Sequence, residues 1–182
     1  VMIEPAACAI HATLLAKIAD GSTVTVLGSG TLGLLTIAAI RAFTNPRVLV
    51  VSARYPTQRR LASELGADLI VEPDAIQRAI RRVTSSRAIS KAKPDGSVDR
   101  LTGGSDIVID CVGSSSSLTD SLTLVRPRGR VVLVGMPASV TLELTPLWHR
   151  EVELVGAYTY GTETLSDGSS IRTFDLAKRL VK

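Results

Sequence analysis

Apolar residues in this chain switch repeatedly between a spacing that suits a buried strand and one that suits a helix face. Pro5 to Ile18 places Ile10, Leu14 and Ile18 on one helical face, with Pro5 in the first turn and Gly21 as the stop. Val24 to Leu27 is a short strand, and the apolar run to Phe43 is a helix. The alternation continues with strand Arg47 to Val51, helix Thr57 to Leu65 stopped by Gly66, strand Asp68 to Val71 and helix Asp74 to Val83. Beyond a Ser-, Gly- and Lys-rich stretch, Thr84 to Gly104, that reads as a long mobile loop come strand Asp106 to Asp110, helix Ser116 to Val125 and strand Arg130 to Val134. Strands separated by helices predict an α/β fold with a doubly wound, mostly parallel sheet covered on both faces. The tail departs from this rhythm. Thr141 to Pro146 alternates like an exposed edge strand, Glu151 to Gly156 reads as another strand, and Ile171 to Val181 reads as a terminal helix. No repeat or second domain is visible, so residues 1–182 are expected to form one domain.

The junction of the first strand and second helix carries the first chemical signal, Gly28-Ser29-Gly30-Thr31-Leu32-Gly33. In the order strand, G-x-G-x-x-G, helix, Gly28 permits the tight turn, Gly30 admits a pyrophosphate to the backbone, and Gly33 lets helix and strand approach. The helix N-terminus adds free N–H donors and the positive end of a dipole. This is a Rossmann-like dinucleotide turn; the plainer alternative is a glycine-rich turn with no ligand.

The second signal is a missing carboxylate. A site for NAD commonly has Asp or Glu about 20 residues past the last glycine to hold the ribose hydroxyls, and here that count lands on Ala53. The segment reads Ser52-Ala53-Arg54-Tyr55-Pro56-Thr57-Gln58-Arg59-Arg60, without an acid. Arg54 is placed to grip a 2′-phosphate with a planar fork, with Ser52, Tyr55 and Arg59 nearby. NADP is therefore the expected cofactor and NAD the alternative. Under the plainer reading Arg54, Arg59 and Arg60 solvate a loop and a helix face. Ala53 also argues against a methyltransferase, which needs an acid there for its adenosine ribose.

Composition narrows the classes further. Hydrophobic residues make up 45% of 182, enough for a core. No apolar stretch reaches the ~18 residues of a membrane span, and no basic-then-apolar leader opens the sequence, so a cytoplasmic protein without a membrane role is expected. Cys8 and Cys111 are isolated and form neither a disulfide scaffold nor a closed zinc site. The net charge of +4 raises the question of nucleic acid. However, Arg78, Arg81 and Arg82 fall on the solvent side of an amphipathic helix defined by Ile76, Ala79, Ile80 and Val83, and aromatic residues are only 3%, which leaves little for base stacking. No nucleic-acid partner is expected.

Several segments together resemble the cofactor-binding domain of the zinc-type medium-chain alcohol and polyol dehydrogenases: Ile3-Glu4-Pro5 with His11-Ala12, the glycine turn, Leu65-Gly66-Ala67-Asp68, Asp106 to Gly113, Gly129 to Gly135, and Glu151 to Gly156. The resemblance spans nearly the whole chain. It implies that residues 28–33 hold the pyrophosphate, Ser52 to Tyr55 the adenosine ribose, Cys111, Val112, Gly113, Val134, Gly135 and Met136 the middle of the cofactor, and Ala157, Tyr158 and Thr159 its carboxamide end. For Cys111, a small buried residue ending a strand is an equal alternative. In polyol-dehydrogenase-like members the Glu corresponding to Glu4 approaches the catalytic zinc, which steadies the alkoxide from which hydride leaves.

One carboxylate does not hold zinc, and this sequence has no Gly-His-Glu segment, second site-like cysteine or four-cysteine lobe. Zinc is expected only if a catalytic domain outside these residues supplies ligands; Glu4 as a plain helix-start acid is the alternative. His11 reads as a core or interface residue, and Trp148-His149-Arg150 as structural or interfacial. The family's catalytic domain is missing from this sequence, and Val1 in place of an initiating Met fits a fragment. The implied function is the NADP(H)-binding part of an oxidoreductase, inactive alone, and a homodimer joined through 141–146 is expected. The same fold serves zinc-free quinone and enoyl reductases, and a non-catalytic NADPH sensor also fits, since no residue here stands out as acid, base or nucleophile.

Overall fold

The computed structural model describes residues 2–89, 100–165 and 167–181. The chain opens with helix α1 (Ile3–Leu15), followed by β1 (Thr23–Leu27), α2 (Thr31–Phe43), β2 (Val48–Ser52), α3 (Pro56–Glu64) and β3 (Leu69–Val71). A 3₁₀ turn at Pro73–Ala75 leads into α4 (Ile76–Val83). Then come β4 (Ser105–Asp110), α5 (Ser115–Leu124), β5 (Val125–Leu133), α6 (Thr145–His149) and β6 (Glu153–Gly156). The hairpin β7 (Thr162–Thr164) and β8 (Ser170–Arg172) precedes α7 (Thr173–Leu180).

β1 to β6 form one sheet in the order β3-β2-β1-β4-β5-β6, parallel throughout. From β1 the chain winds outward through β2 and β3, then crosses back to β4 on the other side of β1. A doubly wound sheet opens a ligand crevice at such a reversal, outside the carboxyl ends of the strands. β1 is buried along its whole length, as expected of a central strand with both faces covered. Alternation along the strands divides the core. Val26, Leu49, Val51, Ile109 and Val132 pack under α2 with Ile37 and Ile40, whereas Val50, Val108 and Val131 pack on the other face with Ile76, Ile80 and Leu122. A third cluster, Ala6, Ala7, Ile10, Ala39, Leu176 and Ala177, joins α1, α2 and α7.

The tail differs from expectation in two places. Residues 141–144 form no strand, and Thr145–His149 is a helix. Pro146 lies in its first turn, where a fixed φ suits a helix, and the Glu143 carboxylate accepts a bond from Thr145 N at 2.9 Å. The sheet edge is instead β6, which pairs with β5 from Arg130↔Glu153 to Leu133↔Gly156. Ile171 belongs to the hairpin, and the terminal helix starts at Thr173. Smaller shifts affect β5, which begins at Val125, and α1, which ends at Leu15 before Lys17 with φ 51°. The flanks of the long loop are fixed by Ala88 bridging Leu101 and by Thr102 N donating to Arg87 O at 2.8 Å; residues 90–99 lie outside the described residues. Arg78, Arg81 and Arg82 are exposed, as the amphipathic reading requires.

Candidate functional site

A cavity of about 310 Å³ opens at the carboxyl ends of β1, β2 and β4, where the strand order reverses. Its inner wall is the glycine turn. Gly28 has φ +88°, and a Cβ there would stand 2.6 Å from Val112 Cγ2. A Cβ on Gly33 would stand 2.0 Å from the Gly28 carbonyl oxygen. Gly30 faces open space and caps α2 without a side chain, so the first amides of that helix receive no capping bond. No acidic residue occupies the first turn. Free N–H groups at a positive dipole end, open to solvent and with no acid in their own turn, are what an anionic pyrophosphate requires. Ser29 is buried and donates to Ser52 O at 2.8 Å, tying the turn to the end of β2. Thr31 is exposed and Leu32 packs partly against the core.

The outer wall is built by the end of β2. Ser52 is buried, and Ala53 N donates to Val71 O at 2.9 Å, which keeps Ala53 inside the sheet rather than on the cavity surface. Arg54 and Tyr55 are exposed and line the cavity together with Gln58. Among the described residues the Arg54 guanidinium makes no ion pair, whereas Arg59 is engaged with Glu72 at 3.0 Å. Arg59 does not line the cavity.

The opposite wall was not foreseen from sequence. Ser114, Ser116, Ser117 and Asp120 line it, with Pro73 and Ile76 completing the enclosure. Buried Asp110 organises this side: Oδ1 accepts from Val112 N at 2.8 Å and Gly113 N at 3.0 Å, and Oδ2 accepts from Ser117 Oγ at 2.8 Å. Ser114 caps α5 by accepting from Ser117 N at 3.1 Å. The only sequence signal was a run of serines at a strand end, which marks a helix start rather than a ligand.

The residues matched to the middle and far end of a cofactor continue along the same sheet edge. Val134 N and Gly135 N both donate to Asp110 O, and Gly135 packs so closely on Gly113 that a Cβ on it would stand 2.4 Å from Gly113 N. Met136 and Tyr158 are 90% and 84% exposed, and Thr159 has φ 52°, so this half is an open shelf rather than a closed cavity. Ala157 N donates to Leu133 O at 2.9 Å, fixing where the shelf begins. Cys111 packs against the core cluster behind the glycine turn; burial pushes its thiol up to about 12, opposed by Thr36, 3.7 Å from the sulfur. It is therefore a neutral thiol at ordinary pH.

Residues 31–172 match the model of the zinc-binding dehydrogenases. The chain belongs to that family. This family member is 34% identical over 161 residues to L-idonate 5-dehydrogenase of Vitis vinifera and 32% identical over 160 residues to sorbitol dehydrogenase of Arabidopsis thaliana. Each match covers 87% of this chain but 41% of the relative, so the chain spans about two fifths of their length. A structure described as a zinc-binding dehydrogenase from Sinorhizobium meliloti 1021 bound to NADP superposes with a TM-score of 0.67 at 34% identity, covering 86% of this chain and 43% of that one.

Zinc finds too few donors in this family member. Glu4 is exposed, and Cys8 Sγ donates to its Oε1 at 3.4 Å. Burial, with that bond and the Glu4 charge, pushes the Cys8 thiol up to about 11. No three His, Cys, Asp or Glu among the described residues are grouped to hold a metal, and a catalytic zinc needs about three protein ligands. His11 Nδ1 lies 2.8 Å from Glu163 Oε1, joining α1 to the hairpin. No described helix is long and apolar enough to cross a membrane.

A larger hollow, about 390 Å³, lies at the amino ends of the strands. Its three arginines are already paired, Arg126 with Asp106, Arg128 with Glu151 and Arg130 with Glu153, and Lys17 and Asp20 also line it.

Proposed function

We propose that this domain binds NADP(H) for a dehydrogenase acting on an alcohol or polyol, with the pyrophosphate on Gly28 to Gly33 and the 2′-phosphate on Arg54. The observation that carries this reading is the Arg54 guanidinium on the cavity wall, without an ion pair among the described residues, at a strand end that carries no carboxylate. Ser52 and Tyr55 flank it. A phosphate there meets a charged planar donor, whereas the ribose hydroxyls of NAD find no acceptor at Ala53. The NADP in the Sinorhizobium relative and the polyol dehydrogenases among the other relatives support the same reading.

NADP(H), once bound, supplies the hydride acceptor or donor. The chain's own contribution is placement. Free amides at the start of α2 fix the pyrophosphate, Asp110 holds Val112 and Gly113 against the glycine turn, and Val134 to Met136 with Ala157 to Thr159 form the shelf for the nicotinamide end. Placement of this kind supplies orientation to a reaction whose acid, base and zinc donors lie beyond the described residues. The isolated chain is accordingly a cofactor-binding unit without turnover, cytoplasmic in location, and self-association is assigned to the free edge of β6.

Exchange of the phosphate-binding side chain tests the reading. Arg54→Ala is expected to remove most of the preference for NADPH, and Ala53→Asp with Arg54→Ala to reverse it by repelling the phosphate. Variants that keep the wild-type ratio would return Arg54 to a solvated loop.

A further inference from the structure

Three arginines, Arg54, Arg59 and Arg60, lie between the end of β2 and the first turns of α3, and a fourth, Arg41, sits in the last turn of α2; they are not equivalent. Arg60 pairs with Glu64 and Arg41 with Asp68, both away from the cavity wall. Arg54 lines the cavity, and its backbone carbonyl is the shortest contact of Arg59: Nη1 donates to Arg54 O at 2.8 Å, to Ala53 O at 3.4 Å and to Glu72 Oε1 at 3.0 Å. One guanidinium thus holds two consecutive carbonyls of the turn that presents Arg54, and a carboxylate from the segment after β3 holds that guanidinium.

Resting on the NADP reading above, we infer that Arg59 is a positioning residue for cofactor discrimination: it sets the backbone of Ala53-Arg54 so that the Arg54 side chain faces the 2′-phosphate, and does not itself bind the phosphate. Three observations favour this over a direct role. Arg59 is absent from the cavity wall. Its Nη1 is directed at three acceptors of the protein itself, which orients the guanidinium toward the turn and Glu72. The acceptor set includes Glu72, which neutralises its charge before any ligand arrives. The turn needs such a clamp because it has few others: Ala53 N bonds to Val71 O, and Tyr55 N reaches Gln58 Oε1 only at 3.4 Å, so the Arg54 carbonyl would otherwise face solvent. Freeing the turn spreads Arg54 over several orientations, and affinity falls with the fraction that faces the ligand.

A double-mutant cycle on the full chain tests this, with NADPH and NADH titrated by fluorescence and circular dichroism checking the fold of each variant. Arg59→Ala is expected to lower the NADPH-to-NADH affinity ratio by about fivefold, as expected for loss of one net hydrogen bond. In the Arg54→Ala background the same substitution is expected to leave the ratio unchanged, because Arg59 acts only through Arg54. A further fall in that background, equal to the fall in the wild type, would show direct phosphate binding and overturn the inference. So would a wild-type preference that survives Arg59→Ala unchanged. A wild type with no preference removes the NADP reading itself and this inference with it. Should Arg59→Ala fail to fold, Arg59→Gln is read by the same cycle.

Discussion

A side-chain carbon on Gly33 would stand 2.0 Å from the carbonyl oxygen of Gly28, closer than any two such atoms pack. The contact explains why the turn between β1 and α2 has its spacing. The helix axis is set by how near its first turn comes to the strand end, and the amides of that turn are the proposed phosphate donors. Gly33→Ala is expected to push α2 away from β1, lower stability by roughly 1–3 kcal/mol as overpacking does, and weaken both dinucleotides alike. Thermal unfolding together with titration checks it; an unchanged midpoint and unchanged affinities would count against the tight turn.

Arg150 is 6% exposed and pairs with no carboxylate among the described residues. Its guanidinium donates to Gly103 O at 2.8 Å, Leu122 O and Thr123 O at 3.2 Å, and Leu101 O at 3.3 Å, closing the end of α5 against the flank of the long loop. Arg150→Met keeps much of the volume but leaves those buried carbonyls without a donor, at roughly 1–3 kcal/mol. Urea denaturation is expected to show the loss without any change in cofactor preference.

Much of this was legible in the sequence because it rests on local rules. The periodicity located β1 to β4 and α2 to α4 within a few residues, and the strand-glycine-helix order located the phosphate wall. Two kinds of feature were hidden. Thr141 to Pro146 alternates like a strand, but Pro146 and the Glu143 carboxylate make it a helix start. Asp110, Ser117 and Arg150 act through partners remote in sequence or buried, and no pattern in their neighbourhoods announces that. Arg59 was visible as a charge near the expected site; only the coordinates show it turned toward Ala53 and Arg54 carbonyls.

Burial pushes the Cys111 thiol from the ordinary value near ~8.5 up to about 12. The folded state then holds its proton more tightly than the unfolded chain does. Its contribution is fully present below the unfolded pKa and is lost as pH rises through the folded one, a window from about 8.5 to 12. At pH 8 iodoacetamide is expected to label Cys111 far more slowly in the folded chain than in urea. Equal rates in the two states would show an exposed thiolate.

Glu153–Gly156 is one of the two outer strands of the sheet; Leu154 within it is 37% exposed, and Leu144 and Trp148 in the segment leading to it are 54% and 68% exposed. An unpaired edge with apolar neighbours favours addition of a second copy. Light scattering at tens of micromolar is expected to give twice the chain mass, and Leu154→Pro, which removes an outward-facing N–H at the edge, to reduce it. A strictly monomeric wild type would end this assignment.

The most direct test of cofactor choice is a pair of fluorescence titrations of the wild-type chain, with NADPH and with NADH, at low salt. One or more charged hydrogen bonds from Arg54 contribute roughly 1.5–3 kcal/mol, so NADPH is expected to bind about ten- to a hundredfold more tightly, with the gap narrowing as salt screens the exposed guanidinium. Equal affinity for the two cofactors at low salt would contradict the account.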